Sequence, residues 1–245
     1  METRDSKGTA LIIGGCRGIG KAVSLRLAKD GFNIVATARA ATPETTELAA
    51  KITAMSVEFT LLNFDVCDAV KIKEEYARAF PETAPDVLIY NAGIAKDNMF
   101  AFMQSSEWND VINTNVNGFY NTVQPLVFGM LARRKGRIVV VSSVSGQTGQ
   151  AGQVNYSASK AALIGAAKAL AREVGRKGIL VNVVAPGLIA TEMIKDVPVE
   201  RVLPLIPLNR VGKPEEVAGA VSFLCGEDST YMQGQVLAVN GGLYM

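Results

Sequence analysis

The sequence contains no histidine. A Ser-His-Asp triad, a Cys-His catalytic pair and a histidine-ligated metal site are therefore excluded. Any acid–base chemistry must come from Tyr, Lys, Asp, Glu or Cys side chains. Cysteine is also scarce, because the chain has only Cys16, Cys67 and Cys225, which lie far apart. Without a CxxC pair we expect neither a disulfide framework nor a metal site.

The chain also lacks an excess of one charge and long apolar runs. It has 25 basic and 23 acidic residues, a net charge of +2, among 245 residues. This balance does not predict binding to nucleic acid. No apolar run approaches the roughly 18 residues of a membrane span, and residues 1–7 are polar, unlike a signal peptide. We therefore expect no membrane span and a location in the cytoplasm.

Short apolar runs alternate with longer helical patterns along the chain. The predicted strands cover residues 9–13, 33–37, 58–62, 86–90, 137–141, 180–184 and 235–239. The predicted helices cover residues 18–30, 44–55, 66–80, 107–134, 155–175 and 214–225. The strands are continuously apolar, as burial on both faces of a parallel sheet requires. The pattern predicts an α/β fold, a Rossmann-type doubly wound parallel sheet, as a single domain over residues 1–245. The irregular segment 188–211 is interpreted as a flap over a ligand site or as a plain surface loop.

A glycine cluster follows the first predicted strand and opens the first predicted helix. It has the spacing G-x-x-x-G-x-G over residues 14–20. Glycines let the backbone approach a pyrophosphate closely, and a helix N-terminus supplies amide donors. A tight strand–helix turn is the alternative, but the position in the first βα unit favours a dinucleotide site. The residues expected to bind the cofactor here are Gly14, Cys16, Arg17, Gly18, Ile19 and Gly20.

The end of the second predicted strand indicates which dinucleotide binds. This strand leads into Ala38 and Arg39 without the acidic residue that would hold the ribose hydroxyls of NAD. Arg39 and Arg17 can pair with a 2′-phosphate, so NADP(H) is the predicted cofactor. Further contacts are expected after the third and fourth strands, at Asp65, Val66, Asn91, Ala92 and Gly93.

Tyr156 and Lys160 lie four residues apart on a predicted helix and therefore share one face. A phenol titrates near 10, and a neighbouring ammonium is expected to lower that pKa. Ser143 follows the fifth strand at the carboxyl edge of the sheet, where such folds bind ligands. Asn115 lies in the long helix before that strand. The four side chains are a candidate catalytic set, although Ser143 as a cap and Asn115 as a structural amide are the alternatives.

Taken together, these motifs resemble the short-chain dehydrogenase/reductase family across nearly the whole chain. Within that family the chain is similar to the 3-oxoacyl-[acyl-carrier-protein] reductases, through KDNMF at 96–100 and VNGGLYM at the C-terminus. The segments that carry the family resemblance are IGGCRGIG, Asp65-Val66, YNAG at 90–93, WNDVINTN ending at Asn115, Ser143, YSASK at 156–160 and VAPGLIATEM.

The resemblance implies a role for each residue of the candidate set. Tyr156 would protonate a carbonyl oxygen, and Lys160 would lower the pKa of Tyr156 and hold the nicotinamide ribose. Ser143 would bind the substrate oxygen, and Asn115 would support a water chain that returns protons through Lys160. The nicotinamide amide would be held near Pro186, Gly187, Ile189 and Thr191.

The implied reaction is NADPH-dependent reduction of a carrier-bound 3-oxoacyl thioester in fatty-acid or polyketide/polyene biosynthesis. One alternative is reduction of another carbonyl, such as acetoacetyl-CoA, a sugar, a steroid or a xenobiotic ketone. A different alternative is a non-catalytic NADP sensor or scaffold.

The resemblance also implies binding partners, and the chain differs from the family pattern at two places. The resemblance implies a homotetramer built through the long helices and the C-terminal strand. It also implies docking of an acidic acyl carrier protein on Arg133, Arg134, Arg176 and Lys177. Ile13 stands where the family usually has threonine, so a hydroxyl that braces the glycine turn is missing. The flap is shorter than in fatty-acid reductases, which would admit a bulky or rigid acyl chain.

Overall fold

A computed structural model describes residues 6–195 and 197–245. These residues form a seven-stranded sheet with the order β3-β2-β1-β4-β5-β6-β7, in which all pairings are parallel. Each strand lies within two residues of its predicted bounds, and the Rossmann-type prediction is confirmed. The strands are β1 Thr9–Ile13, β2 Asn33–Ala38, β3 Phe59–Asn63, β4 Val87–Tyr90, β5 Gly136–Val141, β6 Ile179–Pro186 and β7 Val236–Val239.

Two of the helices begin where local side chains satisfy their first amides. Thr42 and Pro43 start the helix Pro43–Thr53 (α2), and the Asp68 carboxylate accepts from the amide of Lys71 to start the helix Ala69–Ala79 (α3). This cap explains why α3 begins three residues later than its predicted start at residue 66. The helices are α1 Gly18–Lys29, α2 Pro43–Thr53, α3 Ala69–Ala79, α4 Ser105–Ile112, α5 Gly118–Arg133, α6 Ser145–Thr148, α7 Val154–Val174, α8 Val199–Val202 and α9 Pro214–Cys225.

The sheet is covered on both faces, which explains its continuously apolar strands. Successive residues of β1 point to opposite sides, because Ile12 packs in one core cluster and Ile13 in the other. One cluster is completed by α1 and α9, for example by Val23 and Val217. The other is completed by α3, α5 and α7, for example by Leu163. Because both faces of the parallel sheet are buried, the sheet is rigid, and the side chains at its edge have fixed positions.

The long helix predicted over residues 107–134 is interrupted. A π-helical turn, Asn113–Asn117, separates α4 from α5, and the amide of Gly118 donates to the carbonyl of Asn113, five residues back. A π turn adds a single residue to a helix and leaves the apolar pattern on either side intact, so the sequence pattern did not reveal it. Asn115 lies within this turn.

Backbone hydrogen bonds join the two ends of the segment 188–211 to each other. A parallel bridge joins Ile189 to Gly212, and the amide of Gly212 donates to the carbonyl of Leu188 at 2.9 Å. Its described part contains α8 and two 3-10 helices, Glu192–Ile194 and Leu203–Leu205. The first of these helices borders the cavity described below. Within the part of the chain that the structure describes, no helix is long and apolar enough to cross a membrane.

Candidate active site

The candidate site lies at the point where the strand order of the sheet reverses. β1 pairs with β2 on one side and with β4 on the other. In open α/β sheets, ligands bind in the crevice at the carboxyl ends of such strands. The glycine turn follows β1, and Asn91 follows β4, so both border this crevice.

The glycine turn has a backbone that fits a pyrophosphate. Gly14 and Gly18 have φ values of +73° and +50°, in the left-handed region that favours glycine. A Cβ atom at Gly20 would lie only 1.9 Å from the carbonyl oxygen of Gly14. In residues 6–195 and 197–245 no side chain caps the N-terminus of α1, so the first amides of this helix are available to an anion.

Three side chains brace the turn in place of the hydroxyl missing at Ile13. The Thr37 hydroxyl accepts from the amide of Gly14 at 2.9 Å. The Ser24 hydroxyl donates to the carbonyl of Gly15, and the Asn91 amide donates to the carbonyl of Gly14, both at 2.9 Å. The turn is therefore held from β2, α1 and the end of β4. Sequence reasoning missed Thr37, although it is the one hydroxyl residue of β2 and the only polar residue of that strand after Asn33.

Some of the predicted cofactor residues have buried side chains and others have exposed side chains. Cys16 is buried in the core cluster beside α1, and burial raises the pKa of its thiol to about 11. Its backbone is therefore the part available to a ligand. Arg17 and Arg39 are exposed, and neither forms a salt bridge with a carboxylate in residues 6–195 or 197–245. As far as the described residues go, both guanidinium groups are available to a phosphate. Asp65 is exposed after β3, and its carboxylate accepts from the amide of Cys67 at 2.8 Å.

A single cavity connects the glycine turn to the candidate catalytic residues. Ser143, Tyr156 and Lys160 line it together with seven of the predicted cofactor residues, Ile19, Asn91, Gly93, Pro186, Gly187, Ile189 and Thr191. Four further residues that were not among the predicted site residues also line the cavity: Val141, Ser142, Met193 and Ile194. Each of these four lies within three residues of a predicted one, which was the available signal.

Lys160 is held at the inner end of the cavity. Its Nζ donates to the carbonyl of Val141 at 3.0 Å and lies 5.6 Å from the ring centroid of Tyr156. The backbone carbonyl of Lys160 accepts from the Ser142 hydroxyl at 2.8 Å. Burial lowers the pKa of Lys160 to about 8, because the ammonium is desolvated.

Burial raises the pKa of Tyr156 to about 12, and the contact with Ser143 offsets this only in part. The Asp97 carboxylate raises the pKa further. The expectation of a lowered net pKa is therefore wrong for the protein without cofactor, since desolvation dominates. The phenol stays protonated at neutral pH, which is the form that a proton donor needs.

Asn115 is fully buried and does not line the cavity. Its amide donates to the carbonyl of Ile94 at 3.0 Å and to the Ser159 hydroxyl at 2.9 Å, and its oxygen accepts from the amide of Ile94 at 2.9 Å. A Cβ atom at Gly93 would lie 3.2 Å from Asn115 Oδ1 and 3.3 Å from Lys160 Nζ. Glycine at this position thus allows Asn115 and Lys160 to lie close together.

A hydrogen-bond chain that sequence reasoning missed supports Ser143. The Ser143 hydroxyl accepts from the amide of Ser145 at 3.1 Å. The Ser145 hydroxyl donates to Gln153 Oε1 at 3.1 Å, and Gln153 Nε2 donates to Asp97 at 2.7 Å. Asp97 lies within the KDNMF motif, so that motif reaches the site through Gln153. Among the described residues, no three Cys, Asp or Glu side chains are grouped as a metal site would require.

Comparison with known proteins finds similar sequences over nearly the whole chain. A sequence profile of the family described as short chain dehydrogenase matches residues 8–201. The 3-oxoacyl-[acyl-carrier-protein] reductase FabG of Aggregatibacter actinomycetemcomitans is 47% identical over 238 residues, covering 96% of this chain and 98% of the relative. The acetoacetyl-CoA reductase of Shinella zoogloeoides is 42% identical over 240 residues, with 96% and 98% coverage. FabG of Staphylococcus aureus strain Mu50 is 39% identical over 241 residues, with 97% and 98% coverage.

The fold, the glycine turn and the Tyr-x-x-x-Lys pair define a dinucleotide-dependent oxidoreductase. The chain belongs to the short-chain dehydrogenase family.

Proposed function

We propose that the protein is an NADPH-dependent reductase that converts 3-oxoacyl thioesters to 3-hydroxyacyl thioesters. One observation carries this proposal: Ser143, Tyr156 and Lys160 line the same cavity as Ile19 of the glycine turn. The names of the similar proteins, which are 3-oxoacyl-[acyl-carrier-protein] and acetoacetyl-CoA reductases, support the substrate class.

The residues present fit a phosphorylated dinucleotide. The positive φ values of Gly14 and Gly18 and the uncapped α1 suit a pyrophosphate. Arg17 and Arg39 supply the cations that a 2′-phosphate needs, and no acid follows β2 to favour NAD. When bound, the reduced nicotinamide would supply the hydride that the carbonyl carbon accepts.

The chain's own residues would deliver the proton. Tyr156 Oη would give its proton to the carbonyl oxygen, while the Ser143 hydroxyl donates a hydrogen bond to that oxygen. The Lys160 ammonium lies over the Tyr156 ring and would stabilise the negative charge that Tyr156 acquires. The Asn115 turn would support the water that returns a proton through Lys160. The products are a hydroxyl group and the oxidised cofactor.

The test is the loss of NADPH absorbance with an acetoacetyl thioester, on carrier protein and on CoA in parallel. We expect turnover with NADPH to exceed turnover with NADH, and turnover on the carrier to exceed turnover on CoA. Tyr156→Phe is the control for a reaction at this site. No turnover on either thioester, with NADPH still bound, would refute the acyl substrate.

A CoA thioester is the second candidate substrate, because one of the similar proteins is an acetoacetyl-CoA reductase. Faster turnover on CoA would favour it. A sensor or scaffold without activity is opposed by the complete set of Asn115, Ser143, Tyr156 and Lys160. We further propose that the protein acts in the cytoplasm, since Cys16, Cys67 and Cys225 are all free thiols.

We also propose an acidic carrier protein as partner, through the basic residues at the ends of α5 and α7. The structure places these two ends side by side, because Arg134 Nη2 donates to the carbonyl of Arg176 at 3.3 Å. Lys177 follows Arg176 in the same 3-10 turn. Arg133 is less free, since its guanidinium binds the carbonyl of Pro85 and lies 3.6 Å from Asp86.

This basic surface lies far from the catalytic residues of its own chain. Tyr156 is near the start of α7 and Arg176 follows its end, so about 30 Å of helix separates them. A carrier docked on the basic surface would therefore serve the cavity of a neighbouring subunit. Charge reversal at Arg134 and Lys177 should lower turnover on the carrier but not on CoA. Unchanged turnover on the carrier would refute the docking site.

The neighbouring subunit belongs to the proposed homotetramer. Tyr120 and Phe128 lie eight residues apart on one face of α5 and are 65% and 80% exposed. Met245 is 97% exposed at the C-terminus. Apolar groups of this size on an isolated chain favour burial between subunits. Light scattering that shows a monomer would refute the tetramer.

A further inference from the structure

Tyr90 ends β4 and is completely buried, yet it plays no part in the reaction proposed above. Its hydroxyl donates to the carbonyl of Thr114 at 2.8 Å and to the carbonyl of Asn115 at 3.1 Å. Both carbonyls belong to the π turn between α4 and α5. A buried tyrosine hydroxyl is therefore directed at the one irregular turn of the long helix.

The π turn explains why this hydroxyl is needed. In a regular α-helix the amide of Gly118 would donate to the carbonyl of Thr114, four residues back. Here it donates to the carbonyl of Asn113 instead, which leaves Thr114 O without that partner. A buried carbonyl without a hydrogen bond is destabilising, and Tyr90 Oη supplies the missing donor. The hydroxyl thus stabilises the π turn against the regular helix.

The chain also leaves space for the hydroxyl. Gly118 lies directly beside it, and a Cβ atom there would be 2.9 Å from Tyr90 Oη and 2.7 Å from Val66 Cγ2. The Tyr90 ring is fixed by an edge-to-face contact with Phe119, with centroids 5.4 Å apart. A large residue on β4 and the smallest residue on α5 are therefore matched at this point.

The π turn in turn sets the position of the Asn115 side chain. That side chain binds the backbone of Ile94 on one side and Ser159 on the other. Ser159 then donates to the carbonyl of Tyr156 at 2.7 Å. Gly93, next to Ile94, lies against Lys160 Nζ. A shift of the turn would consequently reach both Tyr156 and Lys160.

We infer that Tyr90 is a positioning residue: its hydroxyl holds the π turn so that Asn115 keeps the Ile94 backbone and α7 in register around the cavity. The catalytic consequence of this inference rests on the proposed function. Its structural consequence, protection of the Ile94 amide by Asn115, does not.

The chain provides a matched control for the test. Tyr76 is another buried tyrosine, and its hydroxyl donates to the carbonyl of Thr122 at 3.0 Å. Thr122 lies on the same helix, in its regular part. Tyr90→Phe and Tyr76→Phe therefore each remove one buried hydroxyl that binds this helix, but only the first removes a bond to the π turn. Both variants should melt about 3 °C below the unmodified protein.

Two measurements decide the inference. Amide hydrogen exchange at Ile94 should be about tenfold faster in Tyr90→Phe and unchanged in Tyr76→Phe. With an acetoacetyl thioester, kcat of Tyr90→Phe should fall about tenfold while KM for NADPH stays within about twofold. Tyr76→Phe should keep both constants.

The contrary results are equally specific. Unchanged exchange at Ile94 in Tyr90→Phe would overturn the inference, and so would equal kcat values for the two variants. If the unmodified protein reduces no thioester, the proposed function fails, and the exchange measurement alone then decides the role of Tyr90.

Discussion

One wall of the cavity carries Ser143, Tyr156 and Lys160, and we name it the catalytic wall. A second part of the lining follows β6 and carries Ile189, Thr191 and Met193; we name it the flap wall. On the catalytic wall, buried hydrogen bonds fix Lys160 to Val141 and Ser142. On the flap wall, the Thr191 hydroxyl donates, among the described residues, to the carbonyl of Ile189 alone, at 3.4 Å, and Met193 is 53% exposed.

This difference separates the chemistry from the choice of substrate. Satisfied buried hydrogen bonds hold the reacting groups in one geometry, as proton transfer requires. Apolar side chains on a short 3-10 helix repack more easily around different acyl chains. Substitutions on the catalytic wall should therefore change rates, and substitution of Met193 on the flap wall should change substrate preference, whereas Ile189 and Thr191 are expected to hold the nicotinamide.

The largest effect is expected from Tyr156→Phe on the catalytic wall. Removing the proposed proton donor should lower kcat about 10³-fold. Binding of NADPH, followed by fluorescence titration, should change little because only one hydroxyl is lost. A kcat close to that of the unmodified protein would mean that another group supplies the proton.

A smaller effect is expected from pH. The pKa of Lys160 is lowered to about 8, so its ammonium loses its proton as the pH rises through this value. Reduction should then slow by about tenfold for each pH unit above 8, in kcat/KM measured from initial rates. Tyr156, with a pKa of about 12, stays protonated over this range and does not contribute. A flat profile between about pH 7 and 10 would contradict the role of Lys160.

The smallest effect is expected from Met193→Ala on the flap wall. Loss of one apolar contact should raise KM for a long acyl thioester about fivefold and leave kcat for acetoacetyl thioester unchanged. Leu208→Ala is the matched control, because Leu208 is exposed in the same segment but does not line the cavity. Equal effects of the two substitutions would show that the flap wall does not contact the acyl chain.

The sequence predicted the sheet and most of the cavity because these depend on local patterns. Seven apolar runs and one glycine cluster fix the edge at which Tyr156 and Ser143 meet. The pKa direction of Tyr156 was not predictable, since burial depends on the whole fold. The brace from Thr37 to Gly14 joins residues that are distant in sequence, and no spacing rule reveals it.

The π turn is another feature that could not be predicted from the sequence. A single added residue leaves α4 and α5 with their own apolar faces, so the sequence reads as one helix. Only the hydrogen bond from Gly118 to Asn113 shows that the helix changes its winding at Asn115.

This change of winding gives the extra residue of the turn a consequence of its own. Deleting one residue from 113–117 would remove that extra residue, so the turn would close as a regular α-helix and α5 would keep its orientation, with Val123, Leu126 and Met130 still in the core. The Asn115 side chain would then lose the position that the π turn gives it. A deletion in this turn would therefore disturb the cavity and leave the outer surface of α5, with Tyr120 and Phe128, in place.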